Sequence, residues 1–390
     1  MGSNAFYPNL NEFCRKYLVV DQKISPDEAS KFDARWRKTE AEIFENLLLF
    51  DKVTFKVFGE NIPFALLLNL IGQNGLEELA EQGAIGFTLW TPGVVFLQKN
   101  IEGIDSIASI THNSPAHSDP ETSLELAFGW MRNKPKRATR RALIRKFRDL
   151  YELPDKNLPA DMVSFVKSAF FSGRLAKFGF DPTTQALDTL NTEDKKAMTA
   201  CASELLEYSY LLARGMTSIS KGTYYDFFTE SQKRISLAEK QITAFIEIAK
   251  IENFPDLQAL HEKISNPYDK LIKLRRTSAS TVFRSWLFDN ANNAQDISEI
   301  TTAYISAIAE PNGFFQTWKG KIVKSIISSS IGAGAGGLAA GSLGALFGAV
   351  AAHAVEPACE PIIDLLDDYL LDGLTKGWTP RLFVDQLRKF

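Results

Sequence analysis

Hydrophobic and polar positions change rhythm twice along the chain. Ser25-Pro26-Asp27-Glu28 is laid out as a capping box with proline at the first helical position, opening a charged helix towards Leu48. "LLLFDKVTFKVF" (47–58) then alternates and is rich in Phe and Val, which predicts a strand. "IPFALLLNLIG" and "LEELAEQGA" predict two short helices ended by Gly72 and Gly83, and "IGFTLW" and "VVFLQ" predict further strands. From Pro120 the period becomes 3.6 and stays there. Helices are expected at 121–132, 135–151, 160–176, 192–214, 224–250, 267–289 and 294–309, separated by prolines such as Pro154, Pro182 and Pro255. The expected fold is therefore mainly α. A small N-terminal α+β unit (1–105) precedes a helical middle domain (120–310) and a C-terminal glycine-zipper helical segment with an acidic helix (314–390).

That last segment differs in composition from everything before it. Lys324 and Glu356 bracket 31 uncharged residues, which as a helix would reach roughly 46 Å, more than the ~30 Å of a bilayer's hydrocarbon core. Gly332, Gly336, Ala340, Gly344, Gly348 and Ala352 recur every four residues, with Gly337, Gly341, Ala345 and Ala349 beside them. Small residues at that interval let helix backbones touch, as they do when helices associate in lipid. In water each glycine costs a helix about 1 kcal/mol relative to alanine, so something must press against this one. Two readings stand: an oligomeric membrane segment, or a buried helical hairpin bending near Gly341-Ser342. A third, a dinucleotide site at Gly332, Gly334 and Gly337, lacks a preceding strand pattern and enough following chain for a doubly wound sheet.

The flanks favour the membrane. Trp318, Lys319, Lys321 and Lys324 precede the segment and no Lys or Arg follows until Lys376, a bias that would keep the N-terminal part in the cytoplasm and the segment at the inner membrane. Glu356, Glu360, Asp364, Asp368 and Asp372 continue at the four-residue interval. In a ring of subunits Glu356, Glu360 and Asp364 would form a cation-attracting pore mouth; alone, they are the solvated face of a short amphipathic helix.

"RNKPKRATRRALIRKFR" (132–148) holds nine basic residues and no acid. On a helix starting at Pro135, Arg137, Arg141, Arg145 and Arg148 line one side, with Arg140 near them and Lys146 in the same tract, while Leu143, Phe147 and Leu150 anchor another. Such a helix suits the phosphates of nucleic acid or anionic lipid headgroups, or is a solvated face. "KLIKLRR" (270–276) could extend the same surface.

Net charge is −3, so basic or acidic behaviour is local. Cys14, Cys201 and Cys359 are far apart and odd in number, which fits a reducing compartment without a disulfide framework or zinc site. Glu12, Arg15 and Lys16 interrupt any signal-peptide core, and Phe6 stands where a myristoylation motif wants Ser or Thr. His112 and His117 read as loop residues, and Ser218 with Lys221 as a chance S-x-x-K match. No catalytic motif is present, and neither cofactor nor metal is expected.

On residues 318–390 and 132–148 the layout resembles bacterial anti-phage membrane effectors, in particular the ion-channel effectors of Hailong-type systems. The resemblance implies a homo-oligomeric channel or pore in membrane lipid, gated by a single-stranded oligonucleotide and without enzymatic activity. The competing expectation is a soluble helical scaffold or nucleic-acid-binding protein whose glycine-rich hairpin is core.

Overall fold

The computed structural model describes residues 3–18, 24–219, 222–224, 229–255, 257–309 and 379–389, with the backbone alone over 229–236. The chain opens with β1 (Asn4–Tyr7), α1 (Asn9–Tyr17), α2 (Pro26–Ser30), α3 (Phe32–Leu49), β2 (Lys52–Val57), α4 (Ile62–Ile71), α5 (Gln73–Glu81) and β3 (Ile85–Leu89). There follow β4 (Pro92–Phe96), β5 (Ile107–Thr111), α6 (Pro115–Ser118), α7 (Pro120–Ala127), α8 (Arg137–Phe147), β6 (Tyr151–Glu152) and α9 (Leu158–Phe171). Beyond these lie α10 (Thr192–Arg214), β7 (Thr217–Ser218), α11 (Thr229–Ile251), α12 (Leu257–Lys263), α13 (Pro267–Arg275), α14 (Ser278–Asn293), α15 (Ile297–Ala309) and α16 (Pro380–Leu387). The protein is mainly helical, as the 3.6 period predicts, around a small sheet.

That sheet is parallel, in the order β6-β3-β2-β1-β7. Its two outer strands are two-residue pieces from the expected helical region, so it is not confined to residues before 105. Strands β2, β3 and β6 are added on one side of β1 and β7 on the other, which makes the β1/β7 edge a topological switch point. β4 and β5 form a separate antiparallel hairpin.

Side chains alternate across a strand, and here both faces are covered. Ala5, Tyr7, Val53, Phe55, Val57, Ile85, Phe87 and Leu89 join the larger core, which also takes in α3, α4, α5 and residues of α11 to α16. Phe6 and Trp90 join a second core with α9 and α10. Buried polar groups lie on the Phe6 side of the sheet: Thr54 donates to Asn4 Oδ1 at 3.0 Å, and Thr88 meets the Tyr210 hydroxyl at 3.1 Å. α4 is apolar on nearly every side, as befits a helix sunk in the core, and Asn61 caps it by accepting from Phe64 N at 2.8 Å.

Three expected elements are revised. The helix opened at Ser25 towards Leu48 is broken at Lys31 into α2 and α3. The apolar run 47–49 ends α3 rather than starting β2, because Asp51 lies between them, receiving the Ser3 N–H at 2.9 Å and Arg284 Nε at 3.0 Å. The helix expected over 267–289 is two helices, since Thr277 caps α14 by accepting from Ser280 N at 3.2 Å.

Candidate functional site

The basic tract forms α8 because Leu143 and Phe147 recur on one side and are fully buried, with the Phe147 ring edge-on to Phe64 at 5.1 Å. The helix divides the basic residues into two sets. Arg140 pairs with Glu125 at 2.6 Å, and Lys146 with Glu81 at 2.7 Å and Glu77 at 3.0 Å. Arg148 pairs with Glu121 and, at 3.6 Å, with Asp149. These three fasten α8 to α5 and α7. Arg137, Arg141 and Arg145 are exposed and make no ion pair among the described residues, and the same holds for Arg132, Lys134 and Lys136 just before the helix. The six expected contact residues therefore do not act as one face.

The start of α8 is electrostatically unfavourable on its own. Its first turn holds no acid, and Lys136 caps it without a side-chain bond, so Arg137 and Lys136 sit at the positive end of the helix dipole. An anion bound there would relieve what the sequence leaves repulsive. Trp130, two residues before Arg132 in the chain, is 41% exposed, and Leu126 is 42% exposed.

The second expected cluster does not extend this surface. Arg275 is buried and donates to the carbonyls of Phe50 at 2.9 Å and Asp51 at 2.8 Å, while Arg276 pairs with Glu78 at 2.7 Å. Burial, with Arg284 close by, pushes Arg275 down to about 9.

The membrane expectation is overturned. Among the described residues no helix is long and apolar enough to cross a membrane. α10 and α11 have the length, at 23 residues each, but α10 carries Glu204, Glu207 and Arg214, and α11 carries Glu239, Lys240, Glu247 and Lys250. This argues against the ion channel or pore and favours the competing helical scaffold or nucleic-acid-binding protein. The ridge Gly332, Gly336, Ala340, Gly344 and Gly348, and Glu356, Glu360 and Asp364, lie outside the described residues.

The structure also gathers residues whose spacing in the sequence gives no sign of a cluster. His112 follows β5 and His117 lies in α6, yet their rings stack at 4.9 Å and 25°. Both meet Phe58, which follows β2, at 5.1 Å and 4.7 Å, and the Arg15 guanidinium of α1 lies 4.8 Å from the same ring. Ser114 and His117 Nδ1 share a hydrogen bond of 2.7 Å. Burial, His112 and Arg15 lower the His117 pKa, against the opposing pull of Glu60.

A cavity of about 250 Å³ is lined by Pro8, Glu12, Lys56, Glu204, Glu207 and Tyr208, among others, with Glu12 one turn from Arg15 on α1 and Lys56 two residues before Phe58. Lys56 pairs with Glu207 and lies 4.8 Å from the Trp90 ring. Glu204 accepts the Tyr224 N–H at 2.7 Å, and the Tyr208 hydroxyl accepts that of Gly222 at 2.7 Å, so the backbone after β7 walls the cavity. Ser218 is buried in β7, and Lys221 is outside the described residues. Cys14 and Cys201 are buried free thiols, and burial pushes Cys201 up to about 12. Among the described residues no three His, Cys, Asp or Glu side chains are grouped to hold a metal.

Compared with known proteins, the chain matches no family model, no curated protein and no solved structure.

Proposed function

We propose that this protein binds single-stranded nucleic acid along the outward side of α8 and the turn before it. The observation that supports this is an exposed aromatic ring, Trp130, just ahead in the chain of six exposed basic residues that have no acidic partner among the described residues. Single strands are held by that combination: cations track the phosphates and an aromatic ring stacks on bases regardless of sequence. Arg137, Arg141 and Arg145 stand four residues apart, so along the helix they step by roughly 6 Å and span about 12 Å. Arg140, Lys146 and Arg148 hold the helix in place and leave the contact to the others.

Fluorescence anisotropy with a labelled oligothymidylate tests the reading. Trp130→Ala should lower affinity about tenfold, in the range of one lost base stack. Joint replacement of Arg137, Arg141 and Arg145 by Ala should reduce the slope of log affinity against log salt by about 0.7 for each phosphate that is no longer neutralised. A wild-type slope retained by the triple variant would reject the assignment.

A further inference from the structure

The second site lies where parallel α/β sheets place ligands, beyond the carboxyl ends of the strands and next to the switch point. Pro8 directly follows β1, Phe58 follows β2, and Gly222 comes shortly after β7. Lys56 and Phe58 lie on the same side of their strand, and Glu12 and Arg15 are one turn apart on α1. The cavity and the His112/His117 cluster are thus built from the same two segments.

Charge and hydrogen-bonding capacity at the cluster are one-sided. Arg15 is half-buried, with five N–H donors and no acceptor or carboxylate partner among the described residues. The His112 ring makes no side-chain hydrogen bond there either, and it stacks on a second imidazole that bonds only Ser114. The one carboxylate that pulls on His117 is that of Glu60. The guanidinium offers several N–H donors and each neutral imidazole one more, a set that suits an acceptor with several oxygens. The cavity has the opposite character. Glu12 has no partner among the described residues and Glu207 accepts from Lys56 alone, so acceptors for hydroxyl groups remain. Its volume, about 250 Å³, suits the body of a small molecule and no macromolecule.

We infer that this crevice binds a phosphate monoester of a polyhydroxylated small molecule, a nucleotide or a sugar phosphate. Arg15, His112 and His117 hold the phosphate, and Glu12 and Glu207 accept from hydroxyls in the cavity. The site shares no residue with the nucleic-acid surface of α8.

The four histidines allow a direct test on the full chain. With ¹⁵N-histidine labelling, adenosine 5′-monophosphate and glucose 6-phosphate are titrated separately, with inorganic phosphate and adenosine as references. Either ester should move the His112 and His117 resonances and leave His261 in place, and whichever binds tighter names the source. Arg15→Ala should weaken that binding about tenfold to a hundredfold, the effect of losing charge-assisted hydrogen bonds, with an unmoved His261 signal reporting an intact fold. Glu12→Gln should weaken both esters and leave inorganic phosphate unaffected. The inference falls if neither ester moves either resonance, if Arg15→Ala binds like wild type, or if inorganic phosphate binds as tightly as the esters.

Discussion

The Arg388 guanidinium lies 3.2 Å from the Glu252 carboxylate, 136 residues earlier in the chain. Glu252 is a nearly buried acid at the end of α11, and it also accepts from the Tyr304 hydroxyl at 2.9 Å and lies 3.5 Å from Arg381. On another side of α16 (Pro380–Leu387) the Phe383 ring stacks on Phe283 at 4.2 Å and 11°. α16 is thereby fixed against α14 and α15.

Replacing Glu252 by Ala should destabilise the protein by about 2 kcal/mol, because a buried hydroxyl and two cations lose their shared acceptor. Phe383→Ala should cost more, about 3–5 kcal/mol, through the cavity left in the core. Urea unfolding gives both values, and limited proteolysis should cut near Thr379 sooner in either variant. Proteolysis at the wild-type rate would mean that α16 is held by something other than this pair of contacts.

The two sets of basic residues on α8 should separate in experiment. Joint replacement of Arg140, Lys146 and Arg148 by Gln should lower the midpoint of thermal unfolding, since each links α8 to acids of α5 or α7 or to its own end. The same change at Arg137, Arg141 and Arg145 should leave that midpoint nearly unchanged, because none of the three pairs with an acid among the described residues, and the relief at Arg137 by the positive end of the helix dipole is offset by the loss at Arg145 by the negative end. Differential scanning fluorimetry distinguishes them, and equal losses would refute the division.

That division shows where the sequence stopped being readable. The 3.6 period and Leu143/Phe147 spacing put α8 in place, but the acids that neutralise its inner side, Glu77, Glu81, Glu121 and Glu125, come from other segments. β2, β3, α4 and α5 were legible because alternation and glycine stops mark them locally. β6 and β7 were not, since two residues carry no periodicity and their pairing with β3 and β1 is purely tertiary. His112 and His117 looked like loop residues because no helix face joins a five-residue spacing; the short turn of α6 brings them together. The signal available was Gly59 directly after a predicted strand, where parallel sheets place their ligands.

Stability should fall on mild acidification. His117 and His261 both have pKa values lowered by burial, so between those values and about 6.5 the unfolded chain binds more protons than the folded one. The slope of unfolding free energy with pH is positive in that interval. Stability is therefore full above the ordinary histidine range, declines as pH falls through it, and levels off below the folded values. The lowered carboxylates act further down, with Glu28 held to about 2 by its bonds to Lys16 and Tyr17. Urea midpoints at about pH 7.5 and about pH 5.5 measure the effect. His117→Gln combined with His261→Gln should flatten the difference, and an undiminished slope in that variant would assign it to other groups.

Gly59 and Gly83 together isolate the contact that shapes the cluster. Both have positive φ, +77° and +64°, so alanine at either position meets the left-handed penalty of about 1–2 kcal/mol. They differ in surroundings. A Cβ at Gly83 would meet nothing within 4 Å, whereas at Gly59 it would lie 3.1 Å from Cε1 and Nε2 of His117. The loop around Gly59 is held from the other side, because Ser123 donates to its carbonyl at 2.6 Å and the Asn61 N–H donates to the Ser123 carbonyl at 3.2 Å. The imidazole, tied only to Ser114, is the part able to yield. Gly83→Ala should thus lower stability and leave the His112 and His117 resonances as they are. Gly59→Ala should lower stability by at least as much and shift both resonances, as His117 is pushed off its stack on His112. Identical spectra for the two variants would show that Gly59 serves its turn alone and that the backbone after β2 does not position the imidazoles.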